Sequence, residues 1–138
     1  MGDEKFFAML SDLQQKFLFK PLSTAEFQTH AAAYVPEGYP DRKLDILFEQ
    51  YVEDIGIPEL DMKHKVAAVG NKWRVQGVVT QKGVAEDFSI FAPVEIRAGR
   101  TSTVHWVRTD AEGAEFTVTV PFRPTSVELN PRQMVLAR

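Results

Sequence analysis

Few side chains in this sequence could do chemistry, and their spacing decides what that chemistry would be. Asp45, Glu49 and Glu53 recur every four residues through LDILFEQYVEDIGIP, so on a helix they form one line of carboxylates. Paired acids serve as general acid and base when burial or crowding drives their pKa values apart. Here Leu44, Leu47, Phe48, Tyr51, Val52 and Ile55 occupy the opposite side of the same helix and turn the acids toward water. The expected reading is a solvated face, with Asp41 and Asp45 near the positive end of the helix dipole. The histidines are His30, His64 and His105, and no two share the spacing that puts metal ligands on one helix face. Strands could still bring His64 and His105 together, but ordinary strand and surface histidines are the simpler expectation. Ser89, Ser102 and Ser126 lie in strand-like runs without the sharp elbow that exposes a nucleophilic serine. Trp73 and Trp106 could form a sugar-stacking platform, yet both fall on the apolar phase of their segments, which favours core packing.

Recognised motifs do not add to this list. The sequence contains no H-E-x-x-H, no phosphate-binding Walker loop, no G-x-G-x-x-G and no G-x-S-x-G. No catalytic, cofactor-binding or metal-ligating residue is therefore assigned. Cysteine is absent, which removes disulfides, thiolate zinc sites and cysteine nucleophiles. The net charge of −3 offers no electrostatic footprint for nucleic acid. No apolar run is long enough to span a membrane, and MGDEKFF does not have the pattern of a signal peptide.

The elements that must position these residues divide in two. Across 138 residues, 44% hydrophobic and 25% charged is the composition of a globular chain with a core of its own. Residues 1–58 hold ten acids against five bases, while 59–138 hold nine against eleven. In the first part, Phe6, Leu10, Leu13 and Phe17 make one helical stripe that Pro21 terminates. Ser23 followed by Glu26 signals a capping box for a second helix through Phe27, Ala31 and Tyr34. Pro36, Gly38 and Pro40 interrupt, and the third helix runs from Leu44 to Ile55, closed by Gly56 and Pro58. A helix so close to Met1 suggests a piece excised from a longer protein. After Pro58 the apolar period becomes two. Six strands are expected, around Leu60–Ala68, Trp73–Val79, Phe88–Ile96, Val104–Trp106, Phe116–Val120 and Val127–Leu129, with Gly70-Asn71 turning the first hairpin. Pro93 suggests an edge strand or a bulge. The expected fold is α+β: a helical segment of about three helices over 1–58, then an antiparallel β-sandwich over 59–138.

Taken in order, these residues resemble the end of the catalytic region of zinc aminopeptidases related to aminopeptidase N. In that family a helix start of the form tt-x-x-D/E-F precedes a helix dl-x-x-F-F-x-Q-W closed by G-x-P-x-L. Ser23, Thr24, Glu26 and Phe27 match the first, and Leu44, Phe48, Gln50, Tyr51, Gly56, Pro58 and Leu60 the second. Gln81, Phe88, Pro93 and Val94 are similar to the family's Q…f-x-x-P-v strand pair. Pro124, Val127, Leu129, Asn130, Pro131, Val135 and Leu136 match its late P-x-x-v-x-l-D-P ending. The chain departs by carrying Tyr51 for Trp and Asn130 for Asp. The resemblance implies a C-terminal portion of such an enzyme, comprising the last helices of a thermolysin-like domain and an immunoglobulin-like β-sandwich. The zinc motif, the exopeptidase motif and the transition-state tyrosine would all lie upstream.

On that expectation the chain is a non-catalytic fragment that supports an upstream catalytic domain, its intramolecular partner. Zinc and peptide substrates would belong to the parent, whose activity would be removal of N-terminal residues from peptides. No nucleic-acid or membrane partner is implied. The excised helices should expose an apolar patch. Two alternatives stand beside this: a free-standing β-sandwich module that docks protein or carbohydrate, and a fragment of a catalytically dead relative.

Overall fold

The computed structural model describes residues 1–53 and 56–138; Asp54, Ile55 and the Glu53 side chain lie outside it. Three helices lead: α1 (Asp3–Lys16), α2 (Thr24–Ala32) and α3 (Asp45–Phe48), the last continuing as a π-helical turn over Glu49–Glu53. Acidic Asp3 and Glu4 open α1 and Lys16 closes it, each suited to the local end of the dipole. The expected capping box is present: Glu26 N–H donates to Ser23 Oγ at 3.2 Å, and Ser23 N–H donates to the Glu26 carboxylate at 2.9 Å.

Six antiparallel strands come next: β1 (Glu59–Val69), β2 (Lys72–Lys82), β3 (Phe91–Ala98), β4 (Thr101–Arg108), β5 (Ala114–Val120) and β6 (Ser126–Leu129). They form two three-stranded sheets with spatial orders β1-β2-β5 and β4-β3-β6. The chain is α+β, and the inner faces of both sheets share one cluster. Val75, Val79, Phe116 and Val120 come from the first sheet, and Ala92, Val94, Ile96 and Val107 from the second. The helices keep a smaller core of Met9, Ala31, Val35, Leu44 and Phe48.

Two expectations need correction. Pro93 lies on β3, the central strand of its sheet, and not on an edge. It is tolerated because β6 pairs with β3 only from Val94 to Arg97. A strand residue points its N–H and C=O to the same side, and Pro93 C=O accepts from Asn130 N at 2.8 Å. The missing N–H therefore faces the end of β6, where the chain turns away in left-handed Asn130 (φ 47°).

Trp106 pairs with Pro93 on the outer face of its sheet, while Val107 fills the inner phase. It is covered by Tyr39 of the helical layer, ring centroids 5.0 Å apart, so the packing is against the helices and not within the sheet core. In the helical layer, the buried residue of α1 is Met9. Leu13 and Phe17 are half-buried, but Phe6 and Leu10 of the expected stripe are exposed. The nine residues of α2 span only about 13 Å against about 21 Å for α1, so the first turns of α1 extend past their neighbour.

On that same outer face, Glu95 is only 2% exposed and sits opposite Glu128 on β6. Arg97 Nη2 at 2.8 Å and Arg132 Nη2 at 3.6 Å make this burial of a carboxylate tolerable. The hydrogen bond from Arg97 holds the Glu95 carboxyl below its usual range.

Gly77 marks the tightest spot in the first sheet. It lies in the row His64–Gly77–Phe116, and a Cβ there would stand 2.6 Å from Lys63 O and 2.8 Å from the Phe116 ring. Gly77→Ala is expected to destabilise the protein by about 1–3 kcal/mol through overpacking. A urea midpoint equal to that of the parent protein would refute this account of the Phe116 contact.

Candidate functional site

The third helix does not continue as the regular α-helix that its apolar pattern suggests. From Glu49 the hydrogen bonding widens to a π turn, which places an additional residue in the turn and rotates the next side chains about the axis. Gln50 consequently points inward and is 7% exposed, while Val52, expected on the packed face, is 53% exposed. The close of this helix at Ile55 lies outside the described residues. At Gly56, a Cβ would come 2.9 Å from Val84 Cγ1, a close approach that favours glycine.

Gln50 joins the helices to the sheets. Its Oε1 accepts from Ser89 N at 3.3 Å. Ser89 Oγ in turn donates to Thr109 O and accepts from Arg108 Nε, and the buried Thr109 Oγ1 accepts from Ile90 N. On one side of this contact Tyr39 packs on Phe91 and Trp106. On the other, Tyr51 packs edge-on to Phe88 and donates its hydroxyl to Leu136 O at 2.7 Å. Asp41, also buried, starts α3 by accepting from Asp45 N and Leu47 N. Asn130 closes the last segment, accepting from Val135 N and donating to Val135 O, both at 3.0 Å. An aspartate there could accept but not donate.

The residues whose types could do chemistry are placed elsewhere. Asp45 and Glu49 are exposed, and Asp45 accepts from Gln28 Nε2. His30 Nε2 bonds Met9 O at 3.0 Å between α1 and α2. His64 lies exposed on β1, whereas His105 on β4 stacks at a tilt against Phe116, 6.1 Å between centroids. Ser89 belongs to the helix–sheet contact, and Ser102 and Ser126 flank Arg97 on neighbouring strands. Trp73 packs against the sheet core with the Arg123 guanidinium over its ring. Among the described residues, no group of three or more His, Asp or Glu could hold a metal ion.

What the structure does present is an apolar surface at the N-terminal end. Phe6, Phe7 and Leu10 on α1 are exposed, and so are Leu18, Phe19 and Leu22 in the connection to α2. Phe19 is 99% exposed and held at a positive φ of 58°, a conformation that non-glycine residues adopt rarely. Of the sequence run FLFKPL, only Phe17 belongs to the helical stripe that begins at Phe6. α1 is about 21 Å long, so these exposed residues form two groups, one at its start and one beyond its end, each a candidate interaction surface.

Compared with known proteins, the chain matches no family model and has no significant similarity to a curated protein.

The helix–sheet contact makes two expectations measurable. Gln50→Ala leaves Ser89 N–H unpaired in a partly buried setting and should lower stability by about 1–3 kcal/mol in urea titration; an unchanged midpoint would refute this. Burial pushes Tyr39 and Tyr51 up to about 12 from 10.0, and hydrogen bonding to Asp12 raises Tyr34. A phenol raised in the folded state gives stability that is intact below pH 10 and lost as pH climbs toward 12. These three are all the tyrosines of the chain, so tyrosinate absorbance should emerge together with alkaline unfolding. A tyrosinate band at pH 10 with native circular dichroism would contradict it.

Proposed function

We propose that this chain is a non-catalytic supporting unit of a zinc aminopeptidase related to aminopeptidase N, holding the catalytic unit through its N-terminal helical face. The observation that carries the reading is the apolar surface of Phe6, Phe7, Leu10, Leu18, Phe19 and Leu22, which no other part of the described chain covers. Burying one such side chain is worth about 1.5–3 kcal/mol, and association costs at least about 4 kcal/mol, so a partner must cover most of these residues together. The motif residues of the resemblance lend further support. Gln50, Tyr51 and Phe88 meet between helices and sheets, with Asn130 closing the segment that Tyr51 binds. The same reading makes the two-sheet unit an immunoglobulin-like sandwich, an inference supported by its strand orders and shared core.

The zinc of that family does not fit this chain's residues. His30 is engaged with Met9 O, and His64 and His105 stand on strands of different sheets without a third ligand among the described residues. The metal and the hydrolytic machinery belong, on this reading, to the partner unit. A free-standing carbohydrate-binding module draws no support from the tryptophans, since Trp106 lies under Tyr39 and Trp73 under Arg123.

The test is to add this chain to a separately expressed catalytic unit of the family that lacks its own counterpart of this region. The chain should bind it and raise its thermal stability, and Phe7→Ser with Phe19→Ser should weaken binding at least tenfold, about 1.4 kcal/mol. Chelator-sensitive aminopeptidase activity of this chain alone would overturn the proposal, as would undiminished binding by the double variant.

A further inference from the structure

The second unfinished surface is a sheet edge, and it is independent of the helical face. β1 is the outermost strand of its sheet and pairs with β2 in unbroken register from Glu59–Lys82 to Val69–Lys72. Eleven residues without a bulge or a proline make a long, regular edge. From Lys63 to Val69 every residue is exposed, so neither face of this half is covered. Edge strands are usually blunted by shortness, bulges, proline or charge, and here only charge is used.

The direction of the free backbone groups can be read from the start of the strand. Leu60 N–H donates to Arg138 O at 2.6 Å and Arg138 N–H to Pro58 O at 2.7 Å. In an antiparallel pair, successive residues point alternately toward and away from the partner. Leu60 points away from β2, so Met62, His64, Val66 and Ala68 do as well. Among the described residues, no backbone group outside the β1–β2 ladder bonds to any of those four. Arg138 shows that this edge already accepts a neighbouring chain segment at its first residues.

Charge selects the occupant. Lys63 and Lys65 share the outer face of β1, opposite Val78 and Gln76 on β2. The ion pairs among the described residues all converge on Glu95, so neither lysine is held in one there; Asp61 shares their face and Glu115 ends the row Lys63–Val78–Glu115. A strand laid along this edge would place alternate side chains about 4.5–5.5 Å from Lys63 and Lys65. A second copy of the chain is a poor fit. The antiparallel register that sets Glu59 and Asp61 against the other copy's lysines needs Leu60 N–H, which Arg138 already holds. Sliding the copies to free that bond centres the pairing on the lysines or on the uncharged Val66 region.

We propose that the free edge of β1 from Met62 to Ala68 is a strand-addition site for an extended acidic segment of a partner protein, whose alternate carboxylates meet Lys63 and Lys65. Main-chain bonds to Met62, His64 and Val66 supply the attachment, and the two lysines choose the sequence. Lysines that discourage pairing between copies attract an acidic strand by the same field.

The probe is an acetylated, amidated peptide of sequence ETEVETE, with KTKVKTK as its counterpart, titrated against the chain by calorimetry at low and high salt. The acidic peptide should bind and weaken as salt rises, and the lysine peptide should not bind. Lys63→Glu with Lys65→Glu should reduce affinity for the acidic peptide at least tenfold and admit the lysine peptide. Val66→Pro should also reduce it, because that residue's N–H faces the free edge and its loss leaves the β1–β2 ladder intact, as circular dichroism can verify. Equal binding of both peptides, no binding of either, or binding indifferent to Val66→Pro would overturn the proposal. So would self-association of the chain that Val66→Pro abolishes, since the edge would then belong to a second copy.

Discussion

The arrangement turns on one buried amide. Gln50 is carried inward by a π turn, and a polar group so placed must find a partner or destabilise the fold. It finds Ser89 N–H at the end of the loop that leads into β3. From there the bonds pass through Ser89 Oγ to Thr109 and Arg108, and through Thr109 to Ile90, so the ends of β3 and β4 are tied to the helical layer. The aromatic contacts of Tyr39 and Tyr51 flank this polar line. Without that amide, the Tyr51 hydroxyl bond to Leu136 O would be left to give direction to a contact that is otherwise apolar.

Much of the architecture was legible because alternation is a strong local signal. Six strands form as the period-two runs suggest, except that the third begins at Phe91 and leaves Phe88 to Ile90 in the preceding loop, and the capping box at Ser23 and Glu26 forms as its spacing suggests. The failures have a common physical origin, in that local pattern does not say which of two apolar faces meets which neighbour. Val104 and Trp106 read as an inward phase, yet the helices cover that face and Val107 fills the core. The third helix reads as regular because its apolar residues fit a 3.6 period. The one polar residue that breaks the pattern, Gln50, is the one the seam requires. Pro93 reads as an edge residue because a central strand normally needs every N–H, and the short reach of β6 was not visible locally.

The candidate surface was legible in part, since the short helical stripes and Phe6 and Phe7 led to an expected apolar patch, while Leu18, Phe19 and Leu22 were legible only as composition. FLFKPL is apolar enough to be noticed, but nothing local distinguishes a buried Phe19 from one held fully in solvent at positive φ. Asn130 presents the opposite case. Its replacement for an expected aspartate reads as minor, while the structure uses the amide donor to close the turn at Val135.

The two exposed surfaces differ in the physics they offer a partner. The helical face is apolar and without direction, so it supplies affinity in proportion to area. The β1 edge supplies backbone bonds and two lysine charges, so it supplies register and selectivity. Directional bonds at Gln50, Tyr51 and Leu136 hold the helical layer to the sheets between these surfaces. The joint between them therefore rests on few bonds, one of them at 3.3 Å, and on the aromatic contacts beside them.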